Sequence, residues 1–204
     1  MRKTRMPAGE RRALIVAAAR RVFSRHGYDG AKTLQIAREA GVSEALVYRH
    51  FPSKEALYRA VWRQVFAEQD ERWREQGIRD DSSTGLARAI HRFIADCVEA
   101  AHKPDRLDSH RMTLASLAGD GSYASLIYRR SQRRNRAAME QAFAAARAAG
   151  DLAEGPVATM SAAMFVEHVG TMVAAVGALP PASQPYGAAG EDLVLQATWF
   201  CLRG

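Results

Sequence analysis

Apolar residues recur every three or four positions along most of the chain, the spacing that places them on one face of a helix. Single-residue alternation of apolar and polar positions, the pattern of a strand, is almost absent. The pattern predicts an all-α protein. Besides two short helices within residues 31–58, the predicted helices cover residues 10–26, 54–76, 86–102, 106–118, 122–149, 157–178 and 188–203.

Residues 31–58 predict two short helices joined by a tight turn. Gly41 supplies the left-handed residue that ends the first helix, and Ser43 is a good N-cap for the second. Val47 and Phe51 recur at i and i+4, so they face the first helix. The residues left outside are Glu44, Ala45, Leu46, Tyr48, Arg49 and His50. A second helix held in this way presents its N-terminal residues to the major groove of DNA.

The fourth helix is predicted to begin after Pro52, with Ser53 as its N-cap. Its two apolar stripes are Leu57, Val61 and Val65, and Tyr58, Trp62, Phe66 and Trp73. A helix that is apolar on two sides is usually packed between two cores. We therefore predict a helix-turn-helix domain over residues 1–53 and a larger helical domain over residues 54–204, with helix four shared. The alternative is that these aromatic side chains fill one ordinary core.

Positive charge is concentrated in the first third of the chain. Residues 1–65 contain 14 Lys and Arg against 5 Asp and Glu, a balance of +9, and residues 66–204 contain 15 against 17, a balance of −2; the two sum to the net charge of +7. A basic segment of this kind is typical of a phosphate-binding surface. Double-stranded DNA is therefore the expected partner.

Catalytic and metal-binding patterns are sparse. The two cysteines, Cys97 and Cys201, are too far apart for a zinc motif. One group of histidines and aspartates flanks a helix end without the spacing of metal ligands: His91, His102, Asp105, Asp108 and His110. Because the sequence also lacks a nucleophile–base spacing and a glycine-rich phosphate loop, we expect no enzyme activity, metal or cofactor.

The most apolar tract runs from Val157 to Leu179. It carries Glu167 and His168 at its centre, where a charge in hydrocarbon costs roughly 2.5–3.5 kcal/mol. We therefore predict a buried interface helix and no membrane partner. The first residues, Met-Arg-Lys-Thr-Arg-Met-Pro, have no apolar run behind them as a signal peptide has, so a cytoplasmic location is expected.

The run from Leu14 to Val61 resembles the N-terminal domain of the tetracycline-repressor (TetR) family of bacterial regulators. The matching pieces are Ile36-Ala37, Ala40-Gly41-Val42-Ser43, Val47-Tyr48, His50-Phe51 and Ser53-Lys54-Glu55-Ala56-Leu57. The resemblance implies a homodimer that binds a palindromic operator, and repression that a small-molecule effector relieves. A regulator of the same fold without an effector, controlled by a protein partner or constitutive, is the alternative.

By this resemblance, Tyr48, His50 and Lys54 contact phosphates. Lys32 and Gln35 stand where the family commonly has Thr or Ser and then an acid, so we expect no capping box, with Thr33 as a cap one residue later. The candidate DNA-binding residues are Lys32, Thr33, Ser43, Glu44, Ala45, Leu46, Tyr48, Arg49, His50 and Lys54. Minor-groove contacts are expected from a basic N-terminal arm over residues 1–9, through Arg2, Lys3 and Arg5.

The family also implies an effector pocket and a dimer interface in the C-terminal domain. The candidate pocket residues are Trp62, Phe66, Phe93, Cys97, His110, Met112, Leu117, Ile127, Met139, Phe143, Phe165 and His168, each of which could instead be ordinary core. The candidate interface residues, small or bulky apolar positions of the last two helices, are Ala163, Met164, Gly170, Met172, Ala174, Val176, Gly177, Leu193, Trp199 and Phe200.

A dense group of arginines marks the long helix over residues 122–149: Arg129, Arg130, Arg133, Arg134 and Arg136. Three interpretations remain open at this point. The arginines form a second nucleic-acid surface, a site for an anionic effector, or a solvated face that pairs with Glu140 and with acids on neighbouring helices.

Overall fold

A computed structural model describes residues 7–76, 80, 82–119, 121–152, 155 and 159–203, and all regular structure within this part is helical. The helices are α1 (Ala8–Gly30), α2 (Thr33–Glu39), α3 (Glu44–His50), α4 (Lys54–Gln76), α5 (Ser83–Ala100), α6 (Pro104–Ala118), α7 (Ser122–Ala148), α8 (Thr159–Gly177) and α9 (Gly190–Arg203), with a short 3-10 turn over Pro181–Ser183. The all-α prediction is confirmed. The arm residues Arg2, Lys3 and Arg5 lie outside the described residues.

The turn between α2 and α3 forms as its sequence predicts. Gly41 has a φ of +65°, which a residue with a side chain rarely adopts. The Ser43 hydroxyl accepts the backbone N–H of Leu46 at 3.2 Å, and the Ser53 hydroxyl caps α4 in the same way through the N–H of Ala56. These caps fix where α3 and α4 begin.

Helix α1 is interrupted directly after its predicted end at residue 26, because Gly27 has a φ of +65° and kinks the backbone; a further helical segment then continues to Gly30. Another local prediction was wrong. At the start of α2, Thr33 is the first helical residue rather than the cap. Half of a capping box is present instead, since Gln35 Oε1 accepts the backbone N–H of Lys32 at 2.9 Å.

The N-terminal core joins helices from both predicted domains. It contains Ile15, Phe23, Ile36, Val47 and Leu57 of the first four helices, all nearly inaccessible. The same cluster includes Trp62 of α4, Met112 of α6 and Ile127 of α7. The helix-turn-helix unit is therefore packed directly on the C-terminal helices. The domain boundary itself stays a prediction.

The C-terminal core lies between α5, α7, α8 and α9. At Gly170 of α8 a Cβ atom would lie 2.5 Å from Phe93 Cε1 and 2.8 Å from Cys97 Sγ, so only glycine allows this approach of α5. At Gly177 a Cβ atom would lie 3.1 Å from that of Ala101, which follows α5. The small residues of α8 thus pack within the subunit.

This packing corrects half of the predicted dimer interface. The buried members, which a second subunit could not reach, are Ala163, Gly170, Ala174 and Leu193. Gly177 packs against Ala101 at the end of α5. Met164 and Val176 are half-buried. Met172, Trp199 and Phe200 are exposed. The stripe of small residues predicts a close helix contact correctly, but the neighbour is a helix of the same subunit.

Helix α8 is long and apolar enough, by length and composition alone, to cross a membrane. Only 22% of the apolar 18-residue window in α8 is buried. The prediction of a buried interface helix therefore does not hold within one subunit. Its exposed positions include Phe165 and Met172. Glu167 interrupts the apolar surface and faces inward.

Candidate functional site

The surface formed by α2 and α3 presents the predicted DNA-binding side chains to solvent. Lys32, Ala45, Tyr48 and Arg49 are exposed, whereas Leu46 is half-buried. Tyr48 is 47% exposed, and its hydroxyl lies 3.1 Å from that of Thr33. A phenol and a guanidinium side by side on a short exposed helix supply the donors that phosphates and base edges accept.

Three candidate DNA-binding residues, Thr33, Ser43 and Glu44, have hydrogen-bond partners inside the protein. The Thr33 hydroxyl donates a hydrogen bond to the carboxylate of Glu44, which ties the start of α2 to the start of α3. Ser43 is the N-cap of α3, so its hydroxyl is engaged with the backbone. His50 is half-buried at the end of the same helix. The Glu44 carboxylate already accepts a hydrogen bond from Thr33, so a cytosine amino group would have to share this carboxylate with Thr33.

Lys54 has a structural role that sequence reasoning missed. Its Nζ donates to the backbone carbonyl oxygens of Tyr28 at 2.8 Å, Ala31 at 3.2 Å and Asp29 at 3.5 Å, and it lies 4.5 Å from the centre of the Tyr28 ring. These carbonyls belong to the end of α1 and the residue after it, where helices leave acceptors open. An ammonium has three N–H bonds, and these three carbonyls accept all of them, so a phosphate contact would have to replace one, the longest being that to Asp29.

An inner cavity of about 210 Å³ lies between α4, α5, α6, α7 and α8. Its lining residues are Gln69, Arg72, Trp73, Leu86, Ala89, Ile90, Phe93, Asp96, Cys97, Arg106, Ser109, His110, Thr113, Ile127, Tyr128, Arg130, Ser131, Arg134, Met139, Ala163, Val166, Glu167 and Thr171. Five of the predicted pocket residues are among them: Phe93, Cys97, His110, Ile127 and Met139.

The other seven predicted pocket residues do not line this cavity. Trp62 and Met112 are buried in the N-terminal core, and Phe143 packs in the C-terminal core. Leu117 and Phe165 point to solvent. The remaining two lie against residues of the wall: Phe66 beneath the guanidinium of Arg130, and His168 at the edge of the Tyr128 ring. Sequence periodicity marks these positions as apolar without showing which space they fill.

The arginines of α7 divide into two groups. Arg129, Arg133 and Arg136 are exposed, and Arg136 lies 3.6 Å from Glu140, as the solvated-face interpretation expects. Arg130 and Arg134 instead turn toward α4, where both pair with Asp70 and both line the cavity. Their spacing of four residues places them on one side of the helix, but the exposed Arg129 and Arg133 have the same spacing, so this pattern does not show which pair turns inward.

Burial shifts the pKa of several groups in the cavity wall. It lowers the pKa of the His110 imidazole to about 4, and the nearby Arg106 and Arg72 add to this effect. Burial also raises the pKa of the Glu167 carboxyl, against the hydrogen bond that Ser131 donates at 2.5 Å. The Cys97 thiol, whose pKa burial raises to about 12, is not a reactive thiolate.

Helix α6 connects the cavity to the helix-turn-helix unit. Ser109 lines the cavity, and its hydroxyl accepts a hydrogen bond from Nη2 of the buried Arg20 of α1 at 2.5 Å. Arg20 also pairs with Glu68 of α4 at 2.9 Å, and Ser24 donates to Asp108 at 2.6 Å. A change in the position of α6 would therefore reach α1 and α4 through directional contacts.

The model of the bacterial regulatory proteins of the tetR family matches residues 15–61, which span α2, α3, most of α1 and the start of α4. Residues 15–61 are a TetR-family domain. Its helix-turn-helix is thus the DNA-binding domain of this family, and the resemblance seen in the sequence is confirmed.

Individual relatives match about a third of this chain. It is 47% identical over 60 residues to the HTH-type transcriptional activator FasR of Mycolicibacterium smegmatis, covering 29% of this chain and 27% of the relative. It is 37% identical over 68 residues to the HTH-type transcriptional repressor AcnR of Corynebacterium diphtheriae, covering 33% and 36%. The chain thus matches about a third or less of the length of these relatives.

A solved structure shares the fold over nearly the full length of this chain. A TetR-like transcriptional regulator from Rhodococcus sp. RHA1 superimposes with a TM-score of 0.67 at 19% identity, covering 98% of this chain and 100% of that structure. At this identity the likeness concerns the fold alone. The C-terminal cavity must therefore be interpreted from its own residues.

Proposed function

We propose that this protein is a homodimeric, cytoplasmic transcriptional repressor that leaves a palindromic operator when a small hydrophobic or amphipathic effector occupies the inner cavity. The observation that carries the proposal is the position of α6, which lines the cavity through Ser109 and contacts the DNA-binding domain through Arg20. Occupancy of the cavity can then favour one arrangement of α6 and α4, and with it one position of α3. The alternative without an effector expects a closed core, so the cavity supports the first proposal.

Dimerisation is proposed through the exposed face of α8 and α9. Phe165, Trp199 and Phe200 are each more than half exposed, and Leu195 and Leu202 extend the patch. Apolar surface of this extent on a soluble protein commonly marks an interface. In a symmetric dimer the patch would meet its own copy, and two α3 helices would enter major grooves about 34–36 Å apart.

DNA binding can be tested by selection, which requires no assumption about the operator sequence. The full chain is used to select sites from a pool of randomised double-stranded DNA, and we expect an inverted repeat. Tyr48→Phe removes one hydroxyl, and we expect a loss of affinity of about threefold to tenfold on every sequence, measured by mobility shift. Arg49→Ala should lower affinity and also relax the preference at one base pair of each half-site.

The matched control is Tyr186→Phe, which removes an exposed tyrosine hydroxyl far along the chain from the helix-turn-helix. Its operator affinity should equal that of the wild type. Lys54→Ala is a weaker test, since it also removes the hydrogen bonds to Tyr28 and Ala31. Selection of no inverted repeat, or wild-type affinity in both Tyr48→Phe and Arg49→Ala, would contradict the proposal.

A further inference from the structure

One arginine in the cavity wall, Arg72, lies near the carboxylates of Asp96 and Glu68 without a hydrogen bond to either in the part of the chain that the structure describes. Nε of Arg72 lies 3.8 Å from Oδ2 of Asp96, beyond hydrogen-bond distance. The Asp96 carboxylate is held more closely by Arg106, which also donates to the Asp96 carbonyl oxygen at 2.7 Å. Among the residues that the structure describes, Asp96 is the one ion-pair partner of Arg72. Its guanidinium therefore keeps donors available beside the cavity.

The arginines contributed by α7 increase this excess of positive charge. Arg130 and Arg134 share the single carboxylate of Asp70, and the buried Nε atoms of both have no hydrogen-bond partner within the described part of the chain. The described cavity lining contains four arginines and two carboxylates, those of Asp96 and Glu167. His110 adds no charge near neutral pH, since the pKa of its imidazole is about 4. The wall is thus cationic on balance.

The rest of the wall is apolar. Four side chains of this part are Leu86, Ile90, Phe93 and Met139. A cavity that combines unpaired guanidinium donors with apolar surface fits a molecule with an anionic head and a hydrocarbon body. The guanidinium fork matches a planar carboxylate, which can accept two parallel hydrogen bonds.

We propose that the ligand of this cavity is an amphipathic carboxylate whose head group is bound by Arg72. The inference rests on the proposed function of the cavity as an effector site. A volume of about 210 Å³ is small for a ligand site, so the body of the ligand must be compact. Octanoate is a suitable probe, with octan-1-ol as its neutral counterpart and octylamine as its cationic counterpart.

The first experiment measures the three probes by titration calorimetry on the full chain without DNA. Octanoate should bind at least tenfold more tightly than octan-1-ol, and octylamine should show no binding. Equal affinity for octanoate and octan-1-ol would mean that apolar contact alone drives binding and would overturn the proposal. Absence of octanoate binding would overturn it as well.

The second experiment tests the assigned arginine. Arg72→Gln should weaken octanoate binding about tenfold to a hundredfold and leave octan-1-ol binding unchanged. Arg136→Gln is the matched control, because Arg136 is exposed on α7 outside the cavity, and it should bind octanoate like the wild type. If Arg72→Gln does not fold, Arg72→Lys replaces it; the charge remains but the fork is lost, and threefold or greater weakening is expected. Unchanged octanoate affinity in the folded variant would overturn the assignment.

The two proposals fail separately. If octanoate does not bind while the protein still selects an inverted repeat, only the carboxylate proposal falls. If the protein selects no DNA site but binds octanoate through Arg72, the regulatory proposal falls and the ligand class stands.

Discussion

At the scale of single residues, His110 links the cavity to the pH dependence of stability. Burial lowers the pKa of its imidazole to about 4, whereas an unfolded chain has a histidine pKa near 6.5. As the pH falls below about 6.5, the unfolded chain takes up a proton that the folded protein does not. The free energy of unfolding therefore falls until the pH approaches 4.

Urea unfolding at pH 7 and pH 5 measures this effect. For His110 alone we expect a loss of about 1.5–2 kcal/mol between the two conditions. In His110→Gln the loss of unfolding free energy between pH 7 and pH 5 should be smaller by about 1.5–2 kcal/mol. His26→Gln changes an exposed histidine and should lose as much unfolding free energy as the wild type. Glu167 titrates with the opposite sign, because the pKa of its carboxyl is raised. The test is therefore the difference between the proteins in how much unfolding free energy each loses from pH 7 to pH 5. An equal loss in the wild type and both variants would refute the prediction.

Residue roles that depend on distant partners could not be predicted from the sequence. The exposure of Tyr48 and Arg49 follows from local helix periodicity, and the structure agrees with it. The inward turn of Arg130 and Arg134 depends on Asp70, which is 60 and 64 residues away. No local pattern contains that pairing, so a site for an anionic effector stayed one of three open interpretations of the α7 arginines and could not be placed at the cavity.

At the scale of elements, helix starts were predictable and helix neighbours were not. Ser43 and Ser53 fix the starts of α3 and α4 through hydrogen bonds within four residues, which a sequence reveals directly. Gly170 signals that some backbone or side chain approaches α8 closely. Only the tertiary structure shows that this neighbour is Phe93 of α5, because amphipathic periodicity alone specifies no order of packing among helices.

The exposed patch of α8 and α9 leads to a prediction about assembly. Trp199, which is 63% exposed, should lie near the centre of the proposed dimer interface. Trp199→Glu removes an aromatic anchor and places two like charges across the symmetry axis. Because such anchors contribute about 2–4 kcal/mol, we expect the dimer dissociation constant to rise at least thirtyfold, measured by sedimentation velocity.

Leu117→Glu is the control for that substitution. Leu117 is an exposed leucine of α6 outside the patch, so its replacement should leave the protein dimeric. The monomeric Trp199→Glu variant should also bind the selected inverted repeat more weakly, since it loses the second half-site contact. A dimer that persists in Trp199→Glu would exclude this face as the interface.

At the scale of the whole molecule, two helices, α4 and α6, both line the cavity and contact α1 of the DNA-binding domain. Helix α4 begins beside the end of α1, where Lys54 donates to three backbone carbonyls, and it lines the cavity further along through Arg72 and Trp73. Helix α6 lines the cavity through Ser109 and His110 on one side and binds Arg20 and Ser24 of α1 on the other. Filling the cavity should therefore alter the angle at which α3 meets DNA.

Ala89→Phe tests this coupling without any ligand. Ala89 is a half-buried residue of α5 that lines the cavity, and a phenyl ring there would occupy the space of an effector while leaving every DNA-facing side chain unchanged. Since coupling energies between sites are typically about 1–3 kcal/mol, operator affinity should fall roughly fivefold to 150-fold in a mobility-shift titration. Ala144→Phe adds the same ring at an exposed position of α7 and should bind operator like the wild type. Unchanged affinity in Ala89→Phe, with the ring located inside the cavity by crystallography, would show that α4 and α6 do not transmit occupancy to α3.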